Sequence, residues 1–393
     1  MSPTAAGPTG LDRVCAARDR LLASARFQRW AAGFPLTRPI ARRRARALFD
    51  LCAGFVYSQV LTACVRLRVC EILFEAPLDL DTLANRLGLR PDAADRLLGA
   101  AVALQLASRR GDGRYALGPL GAALIGNPAI GAMVRHHALL YADLADPERL
   151  LRRGEDPNGH TTTALGRYWA YAGAESPAAL PANQVEDYTA LMAASQPLVA
   201  DEVLDAYRFH RHRCLLDVGG GDGSFLSAAA RRVPRLRVML FDLPPVAAQA
   251  EARFAREGLV ARDGVAGRAT AFGGDFRTDE LPRGADIISL VRVVHDHDDA
   301  TALALLQAAR RALPPRGTLL LAEPMSGTPG AEPVGDAYFA FYLLAMGSGR
   351  PRSADALAAL LAQAGFDRVR LVPTRQPLLV QVLVARATPA AGL

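Results

Sequence analysis

The residues best equipped for chemistry lie in "VVHDHDD", 293–299. An imidazole titrates near neutral pH, so it can take a proton from a substrate, and a carboxylate beside it can fix its tautomer and stabilise the imidazolium. His295 is the candidate base, with Asp296 next to it and Glu323, at the end of "LLLAEP", as a second carboxylate. The alternative for such a histidine is an exposed or satisfied loop residue. Two histidines and three aspartates within five positions also raise the question of a metal. Side chains at i and i+2 share a direction only where the chain stays extended, and this run leads straight into a helical pattern, so no metal is assigned.

A second group lies in "CLLDVGGGDGSFLSAAARRVPRLRVMLFDLP", 214–244. Asp217, Gly219, Gly221 and Gly223 spell D-x-G-x-G-x-G where an apolar run ends. Glycines there allow a sharp turn and close approach of a ligand, and the helix that follows offers free N–H groups. The dinucleotide pattern G-x-G-x-x-G is incomplete, because Ser224 stands at its third position. Asp242, followed by Leu243, ends the next run where a carboxylate can accept from both ribose hydroxyls of an adenosine, a role common to NAD and S-adenosylmethionine. A third run ends in "GGDF", which sets Asp275 and Phe276 at the same edge to bond an adenine amino group and cover its ring. Together these features favour S-adenosylmethionine.

The elements that must position these groups alternate in the second half of the chain. "CLLDV", "RVMLFD", "ATAFGGD", "DIISLVRVV" and "GTLLLAEP" are separated mostly by helical segments, which predicts an α/β fold with a parallel sheet. "FDRVRLVPT" and "PLLVQVLVAR" lie too close together for a helical crossover and form an antiparallel pair, making seven strands. In the first half, "RALFDLCAGFVYSQVLTACVRLRVCEILF" is apolar at helical spacing for nearly thirty residues, suiting a core helix, a helix pair or a dimer surface. A short helix capped by Asp81 and ended by Gly88, a second beginning near Pro91 and a hairpin at "SRRGDGRYAL" make a winged-helix unit. Its second helix, "PDAADRLLGAAVALQL", is poor in the polar side chains that read base edges, so packing is its expected use rather than DNA binding. The expected division is a leader at 1–40, a helical unit at 41–184 and a cofactor-binding domain at 185–393, with a loop at 152–163.

A chain of 393 residues, 51% of them hydrophobic, has material for two buried cores. All 46 basic residues are arginine, against 39 acidic ones, and the surplus of seven does not by itself point to a nucleic acid. The five cysteines are scattered, odd in number and without paired C-x-x-C, so they suggest neither a zinc site nor a disulfide framework, which fits a reducing cytoplasm. No secretory pattern opens the chain.

With these residues in view, "LLDVGGGDGSF…FDLP…GGDF…VRVVHDHDD…LLLAEP" resembles the O-methyltransferase family that includes the plant caffeate and chalcone enzymes. The resemblance implies a Rossmann-like class I methyltransferase domain, an N-terminal winged-helix dimerisation domain, a homodimer, and His295 as the base with a supporting glutamate at Glu323. The family's second glutamate has no match, since Pro351 and Arg352 occupy its region. His297 stands where the family usually has tryptophan, and Arg292 where the plant enzymes often have lysine, near the adenine. Acceptor contacts are expected from Tyr188 and Met192, the latter matching a pocket methionine of the family, and from Phe339, Tyr342 and Met346 in "YFAFYLLAMGSG", whose apolarity favours a lipophilic acceptor. Over its whole length the chain is similar to the carotenoid branch of the family in purple photosynthetic bacteria. That implies transfer to the tertiary 1-hydroxyl of an acyclic hydroxycarotenoid of the hydroxyneurosporene or demethylspheroidene type. Arg42, Arg43, Arg44 and Arg46 beside apolar residues then suggest peripheral contact with the inner membrane from the cytoplasmic side. The competing readings are a methyltransferase of phenolic or polyketide acceptors, a winged-helix regulator that senses S-adenosylmethionine, and a nicotinamide dehydrogenase.

Overall fold

A computed structural model of the chain describes residues 9–152, 163–169, 182–260 and 267–388. It divides into two compact units, 1–126 and 127–393. The loop expected at 152–163 falls almost wholly outside the described residues.

In the first unit, residues 10–33, within the expected leader, are helical: α1 (Gly10–Ala23) is capped by Thr9 and α2 (Ala25–Gly33) by Ser24. The long apolar pattern forms α3 (Arg38–Arg66), which ends before Arg68, in a left-handed conformation, and the helix Val69–Glu75. Length and apolarity would let α3 cross a bilayer, but its last turns bury Thr62, Cys64 and Val65 in this unit's core, while Phe49, Leu51 and Phe55 stay exposed. The helix Leu80–Leu87 is capped by Asp79, whose side chain accepts the Thr82 N–H, and Asp81 sits one residue inside the first turn. The cap was therefore misread by two positions; both aspartates fit the sequence pattern, and only backbone conformation separates them. Gly88 ends this helix, Pro91 opens the helix Pro91–Ala103, and β1 (Ala107–Arg109) pairs with β2 (Tyr115–Leu117). Leu73, Leu83, Leu98 and Tyr115 close a core between them.

The second unit is built on a seven-stranded sheet of β3 (Cys214–Val218), β4 (Arg237–Asp242), β5 (Ala269–Gly273), β6 (Ile287–Val291), β7 (Thr318–Glu323), β8 (Phe366–Val372) and β9 (Gln381–Ala387), in the order β5-β4-β3-β6-β7-β9-β8. The first five are parallel, and β9 runs antiparallel to both β7 and β8. Every residue of β3, β6 and β7 is buried, which is why these strands read as mainly apolar runs rather than alternating ones. Successive side chains still take opposite faces. Leu215, Ile287 and Leu320 join one core, with Phe225 and Phe254; Leu216, Ile288 and Leu321 join the other, with Leu305 and Leu361. Each such fully buried side chain contributes about 1.5–3 kcal/mol.

The strand order reverses between β3 and β6. In an open parallel sheet, the loops leaving the carboxyl ends of those two strands diverge and leave a crevice, the usual place for a ligand. Here those loops are the glycine segment after β3 and the histidine segment after β6.

Candidate active site

The crevice holds a cavity of about 220 Å³. The four glycines that follow β3 serve it differently. A Cβ on Gly219 would come within 2.7 Å of Val293, on Gly220 within 2.7 Å of Asp217 Oδ2, and on Gly223 within 2.8 Å of Phe254. These three are needed for the protein to pack on itself. A Cβ on Gly221, at φ +60°, would meet nothing within 4 Å among the described residues, and Gly221 lines the cavity. A side chain there would fill space open to a ligand.

Asp242 spans the loop. Its Oδ2 accepts the Gly221 N–H (2.8 Å) and its Oδ1 the Leu243 N–H (2.7 Å), leaving each oxygen a further lone pair for a diol. Desolvation raises this carboxyl to about 6, against the opposite pull of the two N–H donors. Asp217, by contrast, is fully buried and does not line the cavity. It accepts from the Ser289 hydroxyl (2.5 Å), its Oδ2 lies beneath Gly220, and burial pushes it to about 7. Asp275 and Phe276 line the wall after β5 together with Arg277. Arg277 grips Asp275 through Nη2 (2.8 Å), Nε and its own backbone N–H. Burial would raise the Asp275 carboxyl, but these bonds outweigh it and hold it low. The Phe276 ring meets that of His297 edge-on at 5.2 Å, so His297 also forms wall.

Arg292 leaves β6 in the left-handed region, φ +58°, uncommon for a residue with a side chain. Its Nη1 donates to Ser195 Oγ (2.7 Å) and its Nη2 to the Met192 carbonyl (3.3 Å) and to Gln196 Oε1, which ties β6 to the helix Ala182–Ala206. Met192 and Gln196 line the cavity. Tyr188 lies on the same helix, with its side chain outside what is described.

His295 and Asp296 belong to a tight turn, 294–296. The His295 ring is only 6% exposed and lies between two carboxylates: Nε2 is 3.2 Å from Asp296 Oδ1, and Nδ1 is 3.6 Å from Glu323 Oε1. The second distance exceeds a hydrogen bond, and Nδ1 has no hydrogen-bond partner among the described residues. Glu323 instead accepts the His295 backbone N–H at 3.0 Å and acts on the ring through its charge. Burial lowers the imidazole pKa, yet Asp296 and then Glu323 outweigh it, and the net shift is upward. Asp296 lines the cavity, whereas His295 stands one layer behind it.

The turn is held from outside by residues 348–352, a role the sequence reading did not see. Arg352, 3% exposed, donates to the carbonyls of Val294 (2.9 Å) and His297 (2.7 Å) and to Asp299. Ser348 donates to the Asp296 carbonyl (2.7 Å), the Arg350 N–H to that of His295, and Gly349, at φ +79°, comes so close that a Cβ would lie 2.1 Å from the His295 oxygen. The position lacking the family's second glutamate thus carries a guanidinium that fixes backbone. Its spacing in sequence held no hint of that role.

Of the expected acceptor residues, Phe339 stands edge-on to the His295 ring at 5.9 Å. Tyr342 packs behind Phe339, its hydroxyl bonded to His136 (2.8 Å) and Trp169 (3.1 Å), and Met346 is buried in the same cluster. Burial drives His136 down to about 4, so it is a neutral partner.

A glycine-lined crevice at the switch point, with a carboxylate at the tip of β4, is the arrangement by which an open α/β sheet can hold an adenosine cofactor. Residues 167–367 match the O-methyltransferase domain and residues 49–127 the O-methyltransferase dimerisation domain. The chain belongs to this O-methyltransferase family and is an S-adenosylmethionine-dependent enzyme. It is 44% identical to the demethylspheroidene O-methyltransferase of Cereibacter sphaeroides, across 98% of this chain and 97% of that protein. It is 40% identical to the enzyme of the same name from Rhodobacter capsulatus, across 93% and 88%. Among solved structures, CalO1, a methyltransferase of calicheamicin biosynthesis in its S-adenosylhomocysteine-bound form, shares 26% identity at a TM-score of 0.69, covering 88% of this chain and 98% of that one. Human N-acetylserotonin methyltransferase in complex with S-adenosylmethionine shares the fold, at 23% identity and a TM-score of 0.67, covering 88% and 98%.

Proposed function

We propose that the enzyme methylates the tertiary 1-hydroxyl of an acyclic hydroxycarotenoid, with His295 as general base, and that it works as a homodimer. The observation that carries the chemistry is the His295 imidazole, enclosed between two carboxylates and an aromatic ring beside the glycine-lined cavity. Likeness over nearly the full chain to two demethylspheroidene O-methyltransferases supports the acceptor.

The open side of Gly221 fits a ligand held close to backbone, and Asp242 fits a ribose diol. In this reading Gly219, Gly221, Asp242 and Leu243 hold the sugar and amino-acid portion, Asp275, Phe276 and Arg292 surround the adenine, and Asp217 and Gly223 shape the loop from beneath. When bound, the cofactor supplies an electrophilic methyl on a sulfonium. The protein must then bring an oxygen in line with that carbon and remove its proton as the new C–O bond forms and the C–S bond breaks. A tertiary alcohol is far less acidic than a phenol, whose pKa is about 10, so the proton leaves during transfer rather than before it. His295 takes it, and Asp296 and Glu323 stabilise the imidazolium. Met192 and Phe339 guide the acceptor, with Tyr342 and Met346 shaping the wall behind.

The test is transfer of labelled methyl to detergent-dispersed 1-hydroxy acyclic carotenoids and, in parallel, to simple phenols. Product on carotenoid is expected. Product on phenols alone would overturn the acceptor while leaving the enzyme class intact.

A further inference from the structure

One short segment carries a charge surplus as large as that of the whole chain. Residues 10–48 contain ten arginines and two aspartates, a surplus of eight, whereas the whole chain has a surplus of seven. All remaining residues together are therefore net negative by one. The segment also precedes both family matches, which begin at 49 and 167.

Structurally it is α1, α2 and the start of α3, and it buries almost nothing. No residue of α1 is buried, and α2 buries only Ala31. Leu11 is 72% exposed, Leu36 79%, Ile40 57% and Trp30 54%. Trp30 stacks on Phe34 at 5.2 Å and lies 5.6 Å from Phe27, an aromatic cluster open to solvent. Arg26, Arg29, Arg42, Arg43 and Arg44 are exposed in the same helices.

Three partners can be weighed on charge and shape. A second copy related by a two-fold axis would either set this patch against itself, bringing eight surplus positive charges against eight, or seat it on a remainder of the chain that is net negative by only one. A nucleic acid would use the arginines but leave Leu11, Leu36 and Ile40 in water. A bilayer with anionic headgroups satisfies both sets at once: arginines meet phosphates while their stems and the apolar side chains enter the acyl boundary, and tryptophan favours the headgroup level. We propose that residues 10–48 form a docking element that lies on an anionic lipid surface. This goes beyond the assignment of the acceptor and does not rest on it.

The full-length protein is to be sedimented with vesicles of phosphatidylcholine alone or mixed with phosphatidylglycerol, and its tryptophan fluorescence followed with brominated phosphatidylcholine in the mixture. Binding is expected to the anionic vesicles, weakening as salt is raised. Each arginine near such a surface is worth roughly five-fold in partition, so R26Q/R29Q/R42Q/R43Q should lose about a hundred-fold or more. Quenching should be present in wild type and absent in W30F, with S-adenosylmethionine affinity of both variants unchanged as the check on folding. Equal binding to neutral vesicles, or wild-type partition in the arginine variant, overturns the proposal. So does unquenched Trp30 together with conversion of the variant to a monomer, which would assign the surface to a second copy, or tighter binding to duplex DNA than to anionic vesicles.

Discussion

Replacing His295 by alanine should abolish most turnover without touching cofactor binding. A positioned base contributes about 10²–10⁴ in rate, or roughly 2.7–5.4 kcal/mol on the barrier. The upper end is expected here, because a tertiary alcohol cannot ionise beforehand. Its two ring nitrogens sit 3.2 Å and 3.6 Å from Asp296 and Glu323, and those carboxylates would face an emptied site. The ring does not line the cavity, so S-adenosylmethionine affinity by calorimetry should match wild type. His295→Gln, which refills the space, separates lost base from lost packing. In the wild type, kcat should rise with pH as the imidazole loses its proton. Since the two carboxylates hold its pKa above the usual 6.5, the midpoint of that limb should lie above 6.5. Glu323→Gln removes one of the two charges and should move the limb to lower pH. A His295→Ala enzyme that binds cofactor normally and keeps kcat within about three-fold of wild type would refute the assignment.

The glycine loop offers a sharper separation of binding from folding. Gly221→Val should weaken S-adenosylmethionine binding strongly with a left-handed backbone cost of about 1–2 kcal/mol, whereas Gly223→Ala should mainly lower Tm, because its Cβ strikes Phe254 at 2.8 Å. Asp217→Asn should stabilise the cofactor-free enzyme at pH 8 by about 2–4 kcal/mol, since a carboxyl held near 7 against 3.8 unfolded is costly to ionise in place. Because the folded-state pKa is the higher one, that cost is full above pH 7, and thermal melts should show the gain shrinking as pH falls toward 4. Arg352→Met removes the buried donors to the carbonyls of Val294 and His297 and should lower kcat ten-fold or more with little change in cofactor affinity. Phe339→Ala, which opens the wall beside His295, should raise KM for a lipophilic acceptor and spare cofactor affinity in the same calorimetric assay.

The sheet, its antiparallel last pair and the cofactor class were legible in the amino-acid sequence because each rests on short-range rules. A buried parallel strand must be mainly apolar, two strands joined by a few residues cannot cross over in parallel, and a chain that turns sharply against a ligand needs glycine. The same rules set Asp242 and Glu323 at the carboxyl ends of their strands. They did not rank the glycines: Gly219, Gly220, Gly221 and Gly223 look alike along the chain, and only the positions of Val293, Asp217 and Phe254 show that Gly221 alone of the four faces open space. Nor did they show that Asp217 turns into the interior, or that Arg277 already occupies Asp275.

The tertiary structure alone decided how the base is held. Glu323 reaches the His295 N–H across 28 residues and Arg352 reaches Val294 across 58. No helical or strand period links positions so far apart, and their meeting depends on two loops emerging side by side from β6 and β7 and on a third segment folding back over them. Sequence alone determined which groups stand at the edge of the sheet, because strand periodicity is local. Which of them touch, and with what charge between them, was decided by packing, because burial and distance are properties of the assembled fold.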